Sequence, residues 1–226
     1  MKNPKYYRRF NYDRKLLPNS HLSRLEEGVE TIDDAKLQSG YTTGYPGWGL
    51  LYHILLSHLN PDGREFIIET GSNWGCTTIV LAQALVDSGA RGSVFSFEID
   101  KENYERAKQN ISAAGLTNRV ELYLGDSITE LRPALRDLSG VRFAFLDASH
   151  LYEDVKAEFE TILPHLSNDA LVIFDNTYGI SEGDEDKRVN GFLHDIRSQF
   201  GGNLINLEFV SWYTPGLAIW QRSPNI

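Results

Sequence analysis

Five short apolar runs recur along this chain, each separated from the next by a stretch long enough for one helix. They are EFIIE (65–69), SVFSFE (93–98), RVELYLGD (119–126), VRFAFLD (141–147) and ALVIFD (170–175). The intervening segments have helical spacing. In 100–115, Tyr104, Ala107, Ile111 and Ala114 share one face, and Gly115 stands where a helix-ending glycine is expected. In 151–166, Val155, Phe159 and Ile162 share a face. Strands that are apolar on both sides and alternate with amphipathic helices specify a parallel sheet covered on both faces. The runs NLINLEFV and LAIWQR near the C-terminus are separated only by SWYTPG, too short for a parallel crossover, so these two strands are expected to be antiparallel. The expectation is a doubly wound α/β fold. Its seven-stranded sheet is mostly parallel with an antiparallel C-terminal strand, helices lie on both faces, and a helical N-terminal extension precedes it. The expected division is 1–44, a basic arm and lid helix, and 45–226, the main domain, entered through an apolar helix at 47–59.

Composition narrows the function classes. The 226 residues carry a formal net charge of −9, which disfavours nucleic acid as a partner because phosphate neutralisation supplies most of that affinity. The basic residues Lys2, Lys5, Arg8, Arg9, Arg14 and Lys15 are confined to the first fifteen positions, with tyrosines between them. They read either as a surface arm or as a grip on an anionic substrate or a second subunit. Cys76 is the only cysteine, so no intrachain disulfide forms and a cytoplasmic location is expected. No apolar run approaches the length of a membrane span.

Each of the five runs ends on or beside an acid: Glu69, Glu98, Asp126, Asp147 and Asp175. Ligands of open parallel sheets bind outside the carboxyl ends of the strands, so five acids at five such ends are expected to line one crevice. The turn ETGSNWGCT after the first run opens a helix. Gly71 and Gly75 allow a sharp bend and leave room for a ligand against the backbone. The spacing is G-x-x-x-G, not the G-x-G-x-x-G of a dinucleotide site. Glu98 is placed to accept both hydroxyls of a ribose, and Asp126, in GDS, to meet an adenine amino group. Acid, glycines, acid, acid describes a site for a positively charged nucleoside such as S-adenosylmethionine.

FIIETGSNWGCTT, VFSFEIDKENYERAKQNISAAGLTNRVELYLGDS and FAFLDASH…LVIFDNT resemble the Rossmann-like S-adenosylmethionine-dependent methyltransferases over roughly residues 45–221. The E-x-G-x-x-x-G-x-[ST] turn and the D…DN pair resemble the cation-dependent O-methyltransferases of the catechol and caffeoyl-CoA type. DxxH on strand four is similar to a broad group of small-molecule and sugar O-methyltransferases. The resemblance implies cofactor contacts from Glu69, Gly71, Ser72, Gly75, Thr77, Glu98, Ile99, Asp126, Ser127 and Asp147. It implies a metal on Asp147, Asp175 and Asn176, whose oxygen ligands suit Mg²⁺, or else Mn²⁺ or Ca²⁺. His150 stands where catechol-type relatives carry a lysine base, and Ala148 replaces the glycine usual in the Asp-x-x-His group. His150 reads as a general base, a metal or substrate ligand, or a helix-start histidine bonded to backbone.

The expected activity is methylation of a hydroxyl on a small molecule, with Asp147 and His150 as the catalytic pair. Two alternatives stand beside it: a methyltransferase without a metal, and a nucleotide-binding module without turnover. The acceptor stays open among catechols, sugars and other hydroxylated products. The helical preface is able to pair two subunits as a homodimer. Tyr45, Trp48, Trp74, Tyr178, Trp212 and Tyr213 are candidates for the crevice rim, and Tyr41, Thr42 and Thr43 for its lid. The acidic loop 181–186 reads as solvated or as a flap.

Overall fold

A computed structural model describes residues 47–177, 188–207 and 216–223. In chain order these form α1 (Gly47–His58), β1 (Arg64–Thr70), α2 (Cys76–Asp87), β2 (Arg91–Glu98), α3 (Lys101–Ala113), β3 (Val120–Leu124), α4 (Ser127–Leu135), β4 (Val141–Leu146), α5 (Tyr152–Ile162), β5 (Leu166–Asp175), α6 (Val189–Phe200), β6 (Asn203–Leu207) and β7 (Leu217–Gln221). The basic arm, the boundary at 44/45, Tyr41, Thr42, Thr43, Tyr45, Tyr178, Trp212, Tyr213 and the loop 181–186 lie outside the described residues.

All seven strands join one sheet in the order β3-β2-β1-β4-β5-β7-β6. β1 to β5 are mutually parallel. β7 runs antiparallel to both β5 and β6, so the expected C-terminal pair is present and β7 alone opposes the rest.

Period-two alternation divides the side chains of the sheet between two helical layers. Ile67, Val94, Phe143, Phe145, Leu171 and Ile173 pack with Leu51 and Leu55 of α1, Val80, Leu81 and Leu85 of α2, and Ala107 and Ile111 of α3. Their neighbours Ile68, Phe95, Phe97, Ala144, Leu146, Val172 and Phe174 pack with Leu131 and Leu135 of α4, Val155, Phe159 and Ile162 of α5, and Phe192 and Ile196 of α6. Two adjacent residues at a strand tip therefore face opposite layers. Glu69 follows Ile67 into the first layer and meets Thr78 of α2, whereas Thr70 follows Ile68 into the second and meets Glu158 of α5.

The opposite end of the sheet is held by charge. Arg142 Nε lies 2.7 Å from Glu65 Oε2 and Arg142 Nη1 lies 2.5 Å from Asp169 Oδ2, linking β4 to β1 and β5. Glu65 is buried, so Arg142 satisfies a carboxylate that water does not reach.

Candidate active site

β1 and β4 are neighbours in the sheet, yet the chain leaves them in opposite directions. After β1 it enters α2 in the first layer, and after β4 it enters α5 in the second. This reversal opens a crevice at the carboxyl ends of the two strands. Both loops that border it are tightly set. Gly71 N and Ser72 N donate to Phe97 O at 3.0 and 3.1 Å, and Asp147 N donates to Thr70 O at 3.1 Å. Gly71 has φ 79°, and a Cβ there would stand 2.7 Å from the carbonyl carbon of Asp147. Gly75 has φ 78° as the N-cap of α2, and its Cβ would stand 3.1 Å from Ala107 Cα. The close approach that both glycines serve is thus to the protein's own backbone, at β4 and at α3.

The five acids differ in what they face. Glu98 ends β2; its Oε2 accepts Asn73 N–H at 2.6 Å and its Oε1 accepts Asp100 N–H at 2.9 Å, which turns it toward the glycine loop. Each oxygen keeps a further lone pair for a ligand. Beside it, Ile99 is 71% exposed, an apolar surface at the mouth of the crevice. Asp126 is exposed and caps α4, its Oδ1 accepting Ile128 N–H at 3.0 Å. Glu69 has no exposed surface; Thr78 Oγ1 and Ser96 Oγ both donate to its Oε2 at 2.5 Å. The five acids therefore do not line the crevice equally. The alternation of β1 turns Glu69 beneath the loop, and helix capping engages Asp126.

Asp147, Asp175, His150 and Asn176 do come together. Asp147 and Asp175 lie close enough that each carboxyl shifts the titration of the other. His150 Nε2 lies 2.6 Å from Asn176 Nδ2 and 3.4 Å from Asp147 Oδ1. An imidazole nitrogen that accepts the amide N–H of Asn176 belongs to a neutral ring with its proton on Nδ1. Asn176 adopts φ 55°, a left-handed conformation that asparagine tolerates better than most residues.

Electrostatically the crevice is overloaded with carboxyls. Burial pushes Asp147 up to about 8, with Glu69 and Glu158 adding to the rise. Asp175 is raised well above the usual carboxylate range, first by burial and then by Asp147. Burial raises Glu69 to about 7 against the pull of its two hydroxyl donors. His150 is lowered by burial, against the opposing charge of Asp175. Such a site favours a cationic ligand, because a positive charge relieves every one of these carboxylate shifts at once.

Three buried oxygens at the strand tips have no hydrogen-bond partner: Glu69 Oε1, Ser72 Oγ and Asp175 Oδ1. Buried oxygens of this kind are costly unless a ligand, ion or water meets them. Thr77 sits buried in the first turn of α2. Cys76 is held inert by burial, which pushes its thiol up to about 11.

One aromatic candidate lies elsewhere, and a second is engaged by α3. Trp48 is a core residue of α1, because the apolar face of that helix points into the first layer. Trp74 is drawn onto α3: Arg106 stacks over its ring at 3.8 Å, its Nε1 donates to Asn103 at 3.1 Å, and Asn110 donates to its carbonyl at 2.8 Å.

Four residues of the site were not singled out from the sequence: Ser96 and Thr78, which hold Glu69, and Thr70 and Glu158. Glu158 is a carboxyl on α5 that is 1% exposed and is held by Thr70 and by Ser127.

With this geometry, comparison with known proteins is direct. Residues 68–177, from the end of β1 to just past β5, match a family model described as a methyltransferase domain. A stretch of 93 residues is 33% identical to the O-methyltransferase imqG of Aspergillus flavus, covering 38% of this chain and 36% of that protein. A stretch of 137 residues is 30% identical to an Arabidopsis thaliana protein named as a caffeoyl-CoA O-methyltransferase, covering 59% of this chain and 56% of that protein. The chain thus spans from about a third to somewhat over half of the length of these curated relatives. Among solved structures, the O-methyltransferase TomG from Streptomyces achromogenes, in complex with SAM, has a TM-score of 0.70 at 18% identity, over 97% of this chain and 95% of that one. The fold is the α/β fold of that structure, and the stretch similar to the methyltransferase-domain model holds Glu69 through Asn176.

Proposed function

We propose that this protein is an S-adenosylmethionine-dependent O-methyltransferase that methylates a hydroxyl of a small molecule with the help of a divalent cation. The observation that carries the reading is the pair of partnerless buried oxygens beside the crevice, Ser72 Oγ after β1 and Asp175 Oδ1 at the tip of β5, among carboxyls pushed far above their ordinary range. A sulfonium nucleoside and a hard cation are ligands that such a crevice is short of. The names of the A. flavus and A. thaliana relatives point to oxygen as the acceptor atom and to hydroxylated small molecules as the acceptor class.

The residues divide the work as follows. The turn from Gly71 to Thr77 and the Glu98 carboxylate hold the cofactor, with Ile99 against its base and Asp126 and Ser127 at the far edge. Asp147, Asp175 and Asn176 would hold the cation. Their chemistry fits: two carboxylate oxygens, one of them buried and unpartnered, and an amide oxygen left over when Asn176 Nδ2 faces His150. When bound, the cofactor supplies an electrophilic methyl group and the cation acidifies the acceptor hydroxyl. The acceptor oxygen bonds to the methyl carbon as the carbon–sulfur bond breaks, its electron pair going to sulfur. The hydroxyl proton passes to Nε2 of His150, which burial keeps neutral and which takes the proton as it releases the Asn176 amide. Alignment of the two reacting atoms is the larger part of the catalysis.

One observation favours a second reading, in which Asp175 and Asn176 bind the acceptor directly: Asn176 Nδ2 already stands 2.6 Å from His150 Nε2, as a side chain oriented for hydrogen bonding does. Calorimetry with S-adenosylmethionine, with and without Mg²⁺, followed by turnover on a panel of catechols, sugars and hydroxycinnamoyl thioesters, decides between them. Turnover that stops with chelator and returns with Mg²⁺ supports the metal reading. Turnover indifferent to chelator supports the second. Absence of cofactor binding refutes both.

The alternative locations for such an enzyme differ in what they require. Among the described residues no helix is long and apolar enough to cross a membrane. We place the protein in the cytoplasm on its single cysteine, and leave nucleic acid outside its substrates on its acidic charge. A homodimer through the segment before α1 completes the proposal, tested by light scattering of the full chain against one lacking residues 1–44.

A further inference from the structure

The turn after β1 is hard to hold in one shape. It enters the left-handed region at Gly71, Asn73 and Gly75, with φ of 79°, 47° and 78°. Its two glycines leave many other shapes open to it. Most of the turn is tied from within or from β2. Phe97 O accepts Gly71 N–H and Ser72 N–H, Ser72 O accepts Gly75 N–H at 2.7 Å, and Glu98 Oε2 accepts Asn73 N–H. Trp74 is tied from α3. Asn103, Arg106, Ala107 and Asn110 stand at i, i+3, i+4 and i+7 and so form one stripe of that helix. Asn103 Oδ1 accepts the indole N–H, Arg106 covers the ring, and Asn110 Nδ2 donates to the Trp74 carbonyl. Ala107 is the small residue among them, and Gly75 backs onto it. The start of α3 is fixed to the same carboxylate as the turn: Glu98 Oε1 accepts Asp100 N–H, and Asp100 Oδ1 accepts Asn103 N–H. Core packing does not account for the polar members of this stripe. Arg106 is exposed and Asn103 and Asn110 are half-buried, whereas Ala107 and Ile111 anchor α3 in the first layer.

We propose that Asn103, Arg106 and Asn110 are positioning residues: gripping Trp74 by side chain and main chain at once, they keep the turn 71–75 in the shape that receives the cofactor. This rests on the reading of that turn as the cofactor site. A turn held in shape beforehand does not have to be ordered when the ligand binds, and affinity gains by that amount. Trp74 then serves the cofactor side of the crevice and does not wall the acceptor. Released from α3, the turn keeps its sequence and its backbone donors but spends less time in the receiving shape, and apparent affinity falls in proportion.

Calorimetry with S-adenosylhomocysteine on the full-length protein, at a temperature where thermal melts show each variant folded, tests this. Asn103→Leu removes the acceptor of the indole N–H, and Asn103→Asp supplies one again. Asn110→Asp puts an acceptor of nearly the same shape where the Trp74 carbonyl needs a donor. Asn103→Leu and Asn110→Asp are each expected to weaken binding by about fivefold, the size of one lost hydrogen bond, whereas Asn103→Asp is expected to bind within about twofold of the wild type. Arg106→Ala, at an exposed position, is expected to cost about threefold. A role in stability alone would lower Tm and leave affinity unchanged in the folded variants. Wild-type affinity in folded Asn103→Leu and Asn110→Asp therefore overturns the proposal, and so does an Asn103→Asp that binds as weakly as Asn103→Leu; in either case binding by the wild type leaves the methyltransferase reading in place. Should Asn103→Leu and Asn110→Asp fail to fold, wild-type affinity in Arg106→Ala overturns it. A wild type that does not bind S-adenosylhomocysteine removes both the proposal and the reading beneath it.

Discussion

Gly71 and Asp147 are in backbone contact across the switch point of the sheet. The α-carbon of Gly71 faces the Asp147 carbonyl so closely that a Cβ would stand 2.7 Å from its carbon, and the same glycine has φ 79°. The glycine turn after β1 and the loop after β4 are therefore set against each other before any ligand arrives. Gly71→Ala is expected to force the two loops apart. The left-handed conformation alone costs about 1–2 kcal/mol for a residue with a Cβ, and the clash adds to it. We expect a lower Tm and a loss of cofactor affinity of tenfold or more, read by thermal melts and calorimetry; wild-type affinity would show that the contact is slack.

Asp175→Asn separates stability from activity. The substitution removes one of two neighbouring carboxyls whose shared burial holds Asp175 well above its usual range. The ligand-free protein is expected to gain stability, with Tm rising by a few degrees, as about 1 kcal/mol gives in a chain of this size. Turnover is expected to fall by about 100-fold or more, because an oxygen of the proposed cation site becomes neutral. Melting curves and initial rates on one preparation check both halves.

The stability of the ligand-free protein should decline with rising pH. Glu69 and Glu158 are raised from 4.5 to about 7 in the folded protein. A carboxyl with a raised folded value binds its proton more tightly in the native state, so its burial costs nothing below the unfolded value. The cost grows from there and is complete above the folded value. Each group accounts for up to roughly 3 kcal/mol between pH 4.5 and 7. Urea unfolding across that range should show the slope, and Glu69→Gln should remove about half of this part of it.

Arg142→Ala should destabilise the protein without touching the crevice. It strips the buried Glu65 of its partner at 2.7 Å and releases Asp169. Leaving a buried carboxylate unpaired costs about 3–5 kcal/mol, reduced here because Arg142 is 21% exposed. Chemical denaturation measures the loss, and calorimetry should return wild-type cofactor affinity at a temperature where the variant is folded.

The alternation of apolar runs and helical spacings was enough to give the sheet, its two layers and the single reversed strand, because each of these follows from periodicity and connection length. The same signal placed Glu98 beside the glycine turn and Asp147 beside Asp175. It did not separate Glu69 from the other acids. Whether a strand-tip acid faces the crevice or a helix depends on one step of alternation, and β1 extends one residue beyond Glu69. Trp48 was misplaced because the apolar face of α1 turns it into the first layer, and the contacts of Asn103, Arg106 and Asn110 of α3 with Trp74 are tertiary ones that spacing alone does not announce. Glu158 was legible in principle. It lies three residues after Val155 and next to Phe159 on the apolar face of α5, where an acid has no business unless something in the interior receives it.

β7 is inserted between β5 and β6 rather than added at the rim. During synthesis the strand that bears Asp175 thus keeps one bare edge until residues 217–221 have left the ribosome, although β6 has been made before them. An interrupted or clipped chain would offer that edge to other chains as a template for pairing. The edge of the strand that carries Asp175 is therefore closed by the last strand of the sheet to be made.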